Sequence, residues 1–519
     1  MQDETKQEIN VMRRALIGTA GAALFSPMVS TAARAQSASA TSYVVPTSQE
    51  DLCFSSPRAL AALIRQKKLS SVEVVSAFYD RIDAINPKIN AICTLIPRED
   101  ALELAKQADE AVSRGDELGA LHGLPLAVKD TADVEGMVTT YGSPLLVDNV
   151  AAKDSIYVDR LRKAGTLFIG KTNVPEFAAG SHTYNDVYGI TRNPYNLDKS
   201  AGGSSGGAGA ALAAGLLPMA DGSDMGGSLR NPGAFNNVIG YRPSIGRVPG
   251  IRSAGWQSVL ATEGPMGRTA RDTADLLAVM AGPDPRDPLS INEPGAVFIG
   301  DLSRGFAGAK VAWIGDQLEG VEFEKEVLDV CRDSLKHVRE MGCTIEEAAL
   351  DASEALDAFH VDRGFVFAEL AKQIPRSEWS KVKEGVVWNF EYGLGLTIED
   401  FLRGSDIRTR IYQNVIALLS QYDFIILPTT QVLPFDVEMD WVREINDKPM
   451  ATTHHWMASC IVMTLTGLPS VSVPGGFSKD GLPVGLQVVG GFKKDFDLLQ
   501  FTHAFEQVSG YGRQRPTFA

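Results

Sequence analysis

Two clusters of glycine and serine carry side chains that could do acyl-transfer chemistry. The first spans residues 202–207 (GGSSGG) and the second spans residues 226–228 (GGS), and an alanine-rich apolar segment lies between them. Glycine lets the backbone adopt positive φ and approach a ligand closely, so we expect both clusters to be loops shaped around a site rather than a flexible linker. The three amides that precede Ser228 could form a nest for a developing oxyanion. This pattern predicts a serine nucleophile.

A serine nucleophile needs a base that removes its proton. None of the seven histidines lies beside the two clusters in the sequence, whereas Lys129 ends a short apolar strand predicted for residues 124–128. A lysine acts as a base only when neutral, which requires its surroundings to lower its pKa from about 10.4 by roughly 3 units, at about 4 kcal/mol. Ser204 could then relay the proton between Lys129 and Ser228. Taken alone, Lys129 is more simply interpreted as a solvated residue or a partner of Asp130.

Two further motif matches lack the context that their chemistry requires. Residues 165–172 satisfy the phosphate-binding pattern GxxxxGK[ST], but apolar, β-prone residues separate its glycines and a helix precedes it, which predicts a strand. Residues 202–206 satisfy the GxSxG pattern of a nucleophile elbow, but a polar loop precedes them where that motif needs a strand. Only His503 lies late enough to complete such a triad. We therefore expect neither a phosphate-binding loop nor an elbow.

The elements that must position these residues alternate between helices and strands. One helix is expected to stop at Asn86 and Pro87, a brief strand is expected at residues 218–220, and residues 351–419 are mostly helical in pattern. Alternation of this kind predicts an α/β fold whose sheet is covered by helices. Because no repeat or linker divides the mature chain, residues 36–519 are predicted to form a single domain.

The first 35 residues have the layout of an export signal. Arg13 and Arg14 precede a short apolar stretch, and residues 33–35 (Ala-Arg-Ala) suit a cleavage site. The paired arginines suggest the twin-arginine route of bacteria, so we expect a periplasmic or secreted protein that begins at Gln36. A cytoplasmic protein with a disordered tail is the alternative. The apolar stretch is too short, and too rich in Gly and Ala, to predict stable membrane insertion.

Charge and cysteine content narrow the classes of partner. The formal charge of −15 argues against non-specific binding of nucleic acid, because such binding needs a basic face. The five cysteines include no CxxC pair, so they predict neither a disulfide framework nor a zinc site. Whether Cys331 and Cys343 are bridged stays open at this point.

Several segments of the chain resemble the amidase signature family, which includes fatty acid amide hydrolase, peptide amidases and the A-type chain of glutamine-dependent amidotransferases. The resemblance extends from about Leu60 to Val508, and it implies a large mixed, twisted β-sheet covered by helices on both faces. The segments that carry it are GLPLAVKD, GKTNVPEFA, YGITRNPYN, SAGGSSGGAGAALAAG, GSDMGGSLRNPGAFNNVIGYRPSIGRVP and GLPSVSVPGGF with GLPVGLQVVG.

The resemblance also implies roles for individual residues. Lys129, Ser204 and Ser228 match the family's catalytic triad, in which the relay serine follows an unusual cis peptide bond. Asp224 and Arg230 match frequent family positions and are expected to brace the second loop. The implied oxyanion hole consists of the backbone amides of Met225, Gly226, Gly227 and Ser228. The family's mechanism needs no metal and no organic cofactor.

We therefore expect this chain to hydrolyse a carboxylic amide through a serine acyl-enzyme. An exported chain with no evident partner protein resembles a stand-alone amidase more than an amidotransferase A-type subunit, and the same triad could also cleave esters or carbamates. An aromatic pocket would favour aryl or hydrophobic amides as the small-molecule substrate. Candidate substrate-binding residues are Tyr141, His182, Tyr184 and Trp388. A homodimer and the roles of His454 and His455 stay open.

Overall fold

The computed structural model describes residues 43–250 and 259–518. The predicted export signal, residues 1–35, and the predicted mature start at Gln36 both lie outside the described residues. Within the described ranges, no helix combines the length and the apolar composition needed to span a membrane.

Helices occur along the whole described chain. In chain order they are α1 (Gln49–Cys53), α2 (Pro57–Arg65), α3 (Ser71–Ile89), α4 (Arg98–Arg114), α5 (Ile156–Lys163), α6 (Gly206–Ala213), α7 (Arg230–Phe235), α8 (Ala270–Met280), α9 (Lys325–Glu340), α10 (Ala355–Ala371), α11 (Glu384–Leu394), α12 (Ile398–Leu419), α13 (Ala458–Thr466) and α14 (Asp495–Ser509).

Strands alternate with these helices. In chain order they are β1 (Ile92–Leu95), β2 (Pro125–Lys129), β3 (Leu167–Thr172), β4 (Tyr184–Asn185), β5 (Gly189–Ile190), β6 (Arg192–Asn193), β7 (Asn196–Ser200), β8 (Ala220–Asp224), β9 (Ile239–Arg242), β10 (Thr262–Gly267), β11 (Lys310–Trp313), β12 (Leu318–Glu319), β13 (Thr344–Glu347), β14 (Leu350–Asp351), β15 (Phe424–Pro428), β16 (Glu444–Ile445), β17 (Lys448–Pro449), β18 (Ser470–Phe477) and β19 (Pro483–Val489).

A mixed eight-stranded sheet runs through the centre of the fold in the order β13-β11-β15-β19-β18-β9-β10-β8. β11 pairs parallel with β13 and β15, and the other neighbours pair antiparallel. On β15, Phe424 and Ile426 pack into one core and Ile425 and Leu427 into the other, because successive side chains point to opposite faces. Helices α8, α9 and α14 cover the first face, and α10, α12 and α13 cover the second. The predicted α/β fold with helices on both faces is confirmed.

A separate three-stranded sheet, in the order β1-β3-β2, positions Lys129. β2 and β3 run parallel, with Lys129 opposite Thr172, so residues 167–172 form the strand that their composition predicted. The N–H of Lys129 donates to Asp221 Oδ1 on β8 at 3.2 Å. This contact links the end of the small sheet to the edge strand of the large one.

Two boundaries predicted from sequence are wrong. Helix α3 does not stop at Pro87 but continues to Ile89, because Pro87 removes only one amide near the helix end and burial of Ile89 holds the last turn. Asn90 then ends the helix in the left-handed conformation. The brief strand expected at residues 218–220 is instead β8, since pairing with β10 extends regular structure through a glycine-containing segment with low strand propensity.

The cysteines are all free thiols, so Cys331 and Cys343 are not bridged. Cys331 lies buried on α9 with its Sγ 3.7 Å from the Gly485 carbonyl oxygen, whereas the Sγ of Cys343 lies 3.6 Å from the carbonyl oxygen of Phe306. Burial raises the pKa of Cys343 to about 11. Both residues therefore behave as small buried side chains.

Helix α6 packs too closely against the small sheet to accept a side chain at Gly207. A Cβ there would lie 2.4 Å from Asn173 N and 2.5 Å from Ala91 O, and neither backbone atom can rotate away. We expect Gly207→Ala to lower the free energy of unfolding by roughly 3 kcal/mol in urea denaturation. The matched control is Gly385→Ala on α11, where a Cβ meets no atom within 4 Å and helix propensity improves. Equal stability of the two variants would contradict this packing argument.

Candidate active site

Lys129 ends β2 as a buried amine surrounded by hydroxyl groups. Its side chain is 1% exposed, and its Nζ lies 2.8 Å from Ser204 Oγ and 2.9 Å from both Ser205 Oγ and Ser223 Oγ. Asp130, the simpler partner considered from sequence, instead accepts hydrogen bonds from the amide and hydroxyl of Thr140. Lys129 makes no salt bridge with any residue in the described ranges.

This environment favours the neutral form of the Lys129 amine. Burial lowers the pKa of Lys129 from 10.5 to about 8, and the charges of Glu263, Asp221 and Asp224 only partly oppose that shift. The direction agrees with the requirement for a lysine base, because desolvation disfavours the ammonium form. A pKa near 8 leaves a substantial neutral fraction close to physiological pH.

The first glycine loop presents Ser204 to this amine. The Gly203–Ser204 peptide bond is cis, as the resemblance implied. Ser181 Oγ donates to the Gly203 carbonyl at 2.7 Å, and both the amide and the hydroxyl of Thr183 donate to the Gly202 carbonyl, at 3.1 and 2.8 Å. The segment containing Ser181 and Thr183 therefore holds the loop from one side, while α6 begins directly after it.

The second glycine loop is anchored by a buried ion-pair cluster. Asp224 accepts hydrogen bonds from the amide of Leu229 and from the guanidinium groups of Arg230 (Nη2, 2.9 Å) and Arg242 (Nη1, 3.2 Å). All three charged side chains are fully buried. Burial alone would raise the pKa of Asp224, but the two guanidinium groups hold it well below its usual range. Asp224 and Arg230 thus brace the loop that carries Ser228, as expected.

The oxyanion donors predicted for this loop are not equivalent. The amide of Gly227 already donates to Asp224 Oδ1 at 2.8 Å. Across the described part of the chain, the amides of Met225, Gly226 and Ser228 donate to no protein acceptor. Gly227 has φ of 116°, where any other residue would be strained, and this conformation turns the chain into Ser228. Three of the four predicted amides are therefore available to a ligand in this conformation.

We expect Asp224→Asn to destabilise the protein by about 3–5 kcal/mol, because it leaves two buried guanidinium groups without a carboxylate. Urea denaturation followed by circular dichroism measures the loss. The matched control is Asp333→Asn, since the Asp333–Lys336 pair lies on the surface of α9. An exposed pair of this kind contributes less than about 1 kcal/mol. Similar losses in the two variants would show that Asp224 does not anchor the loop.

A cavity of about 450 Å³ opens near the two loops, although no residue of either loop lines it. His182, Tyr184 and Trp388, three of the four predicted substrate residues, line it together with Ser181. Because Ser181 also donates to the Gly203 carbonyl, the cavity wall is continuous with the loop that carries the relay serine. The structure thus places these three residues in one cavity, whose wall reaches the first glycine loop through Ser181.

Tyr141 does not join them. It lines a separate apolar cavity of about 40 Å³ with Leu145, Phe177 and Ile374. The amide of Tyr141 donates to the Asp130 carbonyl at 3.0 Å, and its φ of 54° turns the chain just after that bond. Tyr141 is half-buried among these apolar neighbours, and its contact with substrate stays a prediction.

The histidines of the cavity wall are neutral, but only His182 has a partner for each ring nitrogen, because the buried Nε2 of His454 has none among the described residues. His182 Nε2 donates to the Val437 carbonyl at 2.9 Å and its Nδ1 lies 2.8 Å from Ser200 Oγ, so both ring nitrogens have partners. Burial lowers the pKa of His182 to about 4. His454 is buried against His360, whereas His455 is half-buried and bonded to Thr452. None of these rings contacts the serines of the predicted triad, which agrees with a lysine base.

Sequence reasoning missed two hydroxyl groups of the site. Ser205 and Ser223 each lie 2.9 Å from Lys129 Nζ, and the amide of Ser205 donates to the Ser228 carbonyl at 3.2 Å. The signal for both was their position inside or beside the glycine clusters. Among the described residues, no group of three or more His, Cys, Asp or Glu side chains could hold a metal ion.

Relatives share this architecture over nearly their full length. The sequence model of the Amidase family matches residues 73–499. An acylamidase from Rhodococcus erythropolis is 34% identical over 478 residues, which cover 90% of this chain and 98% of the relative. The A-type chain of a glutamyl-tRNA(Gln) amidotransferase from Alkaliphilus metalliredigens is 34% identical over 487 residues, with 87% and 96% coverage.

A solved structure is similar in fold as well. The crystal structure of a bacterial aryl acylamidase of the amidase signature family superposes with a TM-score of 0.83 at 28% identity, covering 89% of this chain and 97% of that one. The shared fold, the match over residues 73–499 and the lysine–serine arrangement around a cis peptide lead to one conclusion. This chain belongs to the amidase family and is an amidohydrolase.

Proposed function

We propose that this chain hydrolyses the C–N bond of an amide through an acyl-enzyme on Ser228, with Lys129 as the base and Ser204 as the relay. The observation that carries the proposal is the buried Lys129 amine, 2.8 Å from Ser204 Oγ and without a carboxylate partner in the described ranges. A cation held in this way loses its proton readily, which is the property that a general base requires.

The proposed reaction uses these three residues in turn. The neutral Lys129 amine takes the Ser204 proton while Ser204 takes that of Ser228, and the Ser228 oxygen attacks the amide carbonyl. The free loop amides stabilise the oxyanion that forms. The proton returns through Ser204 to the departing amine. A water molecule, activated by the same relay, hydrolyses the acyl-enzyme and restores Ser228.

We further propose that the substrate is an N-acyl amide with an aromatic or hydrophobic half. The cavity beside the loops is lined by the aromatic side chains of Tyr184, Trp388 and Trp441 and by Val386. Aromatic walls favour flat apolar groups through burial of their surface. The acylamidase and aryl acylamidase among the relatives support the same substrate class.

A hydrolysis panel tests this proposal. It compares acetanilides, aliphatic amides, peptide amides, lactams, esters and carbamates, with Ser228→Ala as the background for each compound. We expect acetanilides to show the highest kcat/KM. Faster turnover of esters or carbamates than of every amide would favour the alternative use of the same triad. Turnover of no compound would contradict the proposed function.

An amidotransferase A-type subunit is the second candidate, and the 34% identity to the A-type chain from Alkaliphilus metalliredigens favours it. The two candidates differ in their need for a partner. A stand-alone amidase releases product without additions, whereas an amidotransferase chain of this type would need its partner proteins and ATP for productive transfer. Amide hydrolysis by the isolated chain, with release of the amine, would therefore favour the first candidate.

We also propose that the chain is exported through its paired arginines, on the support of the N-terminal sequence pattern. N-terminal sequencing of the secreted or periplasmic protein should begin at Gln36. Recovery there of a chain that still contains Arg13 and Arg14 would contradict this proposal, and recovery only from the cytoplasm would favour the alternative location.

A further inference from the structure

We propose that the substrate carries a carboxylate that pairs with Arg363, an inference that rests on amide hydrolysis at Ser228. Arg363 lies on α10, is 5% exposed and lines the cavity beside the two glycine loops. Its Nη1 lies 3.4 Å from the Sδ atom of Met225, a residue of the loop that holds the oxyanion amides. The Arg363 guanidinium therefore contacts the loop that leads to Ser228.

Among the residues that the structure describes, the charge of Arg363 has no acidic partner. Its Nε donates to Asn389 Oδ1 at 2.9 Å and its Nη1 meets only the weakly accepting sulfur of Met225. Within residues 43–250 and 259–518, its Nη2 donates to no acceptor and its guanidinium forms no salt bridge. An arginine carries five N–H donors, so most of its hydrogen-bonding capacity remains unused.

The other buried arginines described in this protein each pair with a carboxylate, which Arg363 lacks. Arg230 and Arg242 both contact Asp224, and Arg247 contacts Asp495 at 3.0 Å. Burying a charge without a partner is costly. Burial accordingly lowers the pKa of Arg363 to about 9, with no carboxylate to oppose the shift. A ligand carboxylate would supply the partner that the fold leaves out.

The surrounding side chains orient the guanidinium rather than neutralise it. Its Cζ lies 4.3 Å from the ring centroid of Phe367 and 5.9 Å from that of Phe359. Contacts with aromatic rings and the bond to Asn389 fix the plane of the fork. A planar guanidinium held in this way matches the two coplanar oxygens of a carboxylate, which favours this anion over a spherical anion.

The charged side chains that line the cavity include one more cation than carboxylate, because Arg363 adds to a set in which two cations face two acids. Arg443 pairs with the Asp440 carboxylate at 2.8 Å, whereas Glu384, at the start of α11, is a second acid of the cavity. Lys383 also lines the cavity, with its ammonium over the Tyr184 ring at 3.0 Å. An anionic substrate would therefore meet the unpaired Arg363 guanidinium and the Lys383 cation, with the Glu384 carboxylate as the acid that opposes them.

Matched pairs of substrates test the proposal. In the first pair, 4-acetamidobenzoate carries a carboxylate on the amine half and its methyl ester is neutral. In the second pair, N-phenylglutaramate carries a carboxylate on the acyl half and its methyl ester is neutral. We expect the carboxylate of one pair to exceed its ester in kcat/KM by roughly 10- to 100-fold. Chromatographic detection of the released arylamine measures all four. A ratio near one or below for both pairs in the wild-type enzyme would overturn the proposal.

Variants then assign the effect to Arg363. Arg363→Met should bring the ratio of the favoured pair to near one, and Arg363→Lys should leave an intermediate ratio because it keeps the charge but loses the fork. Arg332→Met is the matched control, since that half-exposed charge is paired with Asp316 and does not line the cavity. An unchanged ratio in Arg363→Met would overturn the assignment. Failure of the wild type to cleave any amide would instead overturn the proposed function, and hydrolysis of only neutral amides would overturn the carboxylate proposal while that function stands.

Discussion

Replacing Ser228 with alanine should lower kcat for amide hydrolysis by roughly 10⁴- to 10⁶-fold, because the acyl-enzyme can no longer form. Ser228 lies at the end of the loop that Asp224 braces, and that loop holds the three free amides. Binding contacts and oxyanion donors remain in the variant, so a small residual rate is expected. Steady-state kinetics with the best anilide of the panel measures the change.

The control for this substitution is Ser334→Ala. Ser334 is buried on α9, and its hydroxyl has no hydrogen-bond partner among the described residues, so its loss should leave kcat unchanged. A fluorophosphonate should label Ser228 in the wild-type enzyme and nothing in Ser228→Ala, as mapped by mass spectrometry. Label on Ser204, or a rate within tenfold of wild type in Ser228→Ala, would place the nucleophile elsewhere.

Replacing Lys129 with methionine should lower kcat/KM by roughly 10²- to 10⁴-fold, since the general base is lost while the buried volume stays filled. The pH profile gives a second measurement. Burial lowers the pKa of Lys129 to about 8, and the neutral form is the active one, so wild-type kcat/KM should rise as pH increases through about 8 and level off above it. Lys129→Met should lack this rise.

A second buried lysine provides the matched control. Lys171 lies on the adjacent strand β3, is fully buried, and donates to the Ala132 carbonyl rather than to a serine. Lys171→Met should retain the inflection near pH 8, even if its stability falls. An inflection near pH 6.5 in wild type, or one that disappears in Lys171→Met and survives in Lys129→Met, would exclude Lys129 as the base.

The three residues of the proposed triad were selected from local patterns of residues and from the family resemblance, and their catalytic roles stay a prediction. Clusters of glycine and serine, and a lysine at the end of an apolar run, are features that a few neighbouring residues encode. The strand at residues 424–428 was equally predictable, because a strand buried on both faces appears as a continuous apolar run. One of the two wrong boundaries fell where distant pairing prevails over local propensity, in β8, whose register depends on β10.

The roles of single side chains around that triad were decided by tertiary structure. Only folding places Ser223 on the Lys129 amine, directs the Gly227 amide to Asp224, and moves Tyr141 to a different cavity from Trp388. Arg363 and Met225 meet across 138 residues of sequence. The sequence by itself determined the type of chemistry, because residue type and local spacing encode it. Which groups are buried, paired or left open was decided by the packed structure, since burial and partner distance depend on contacts between remote segments.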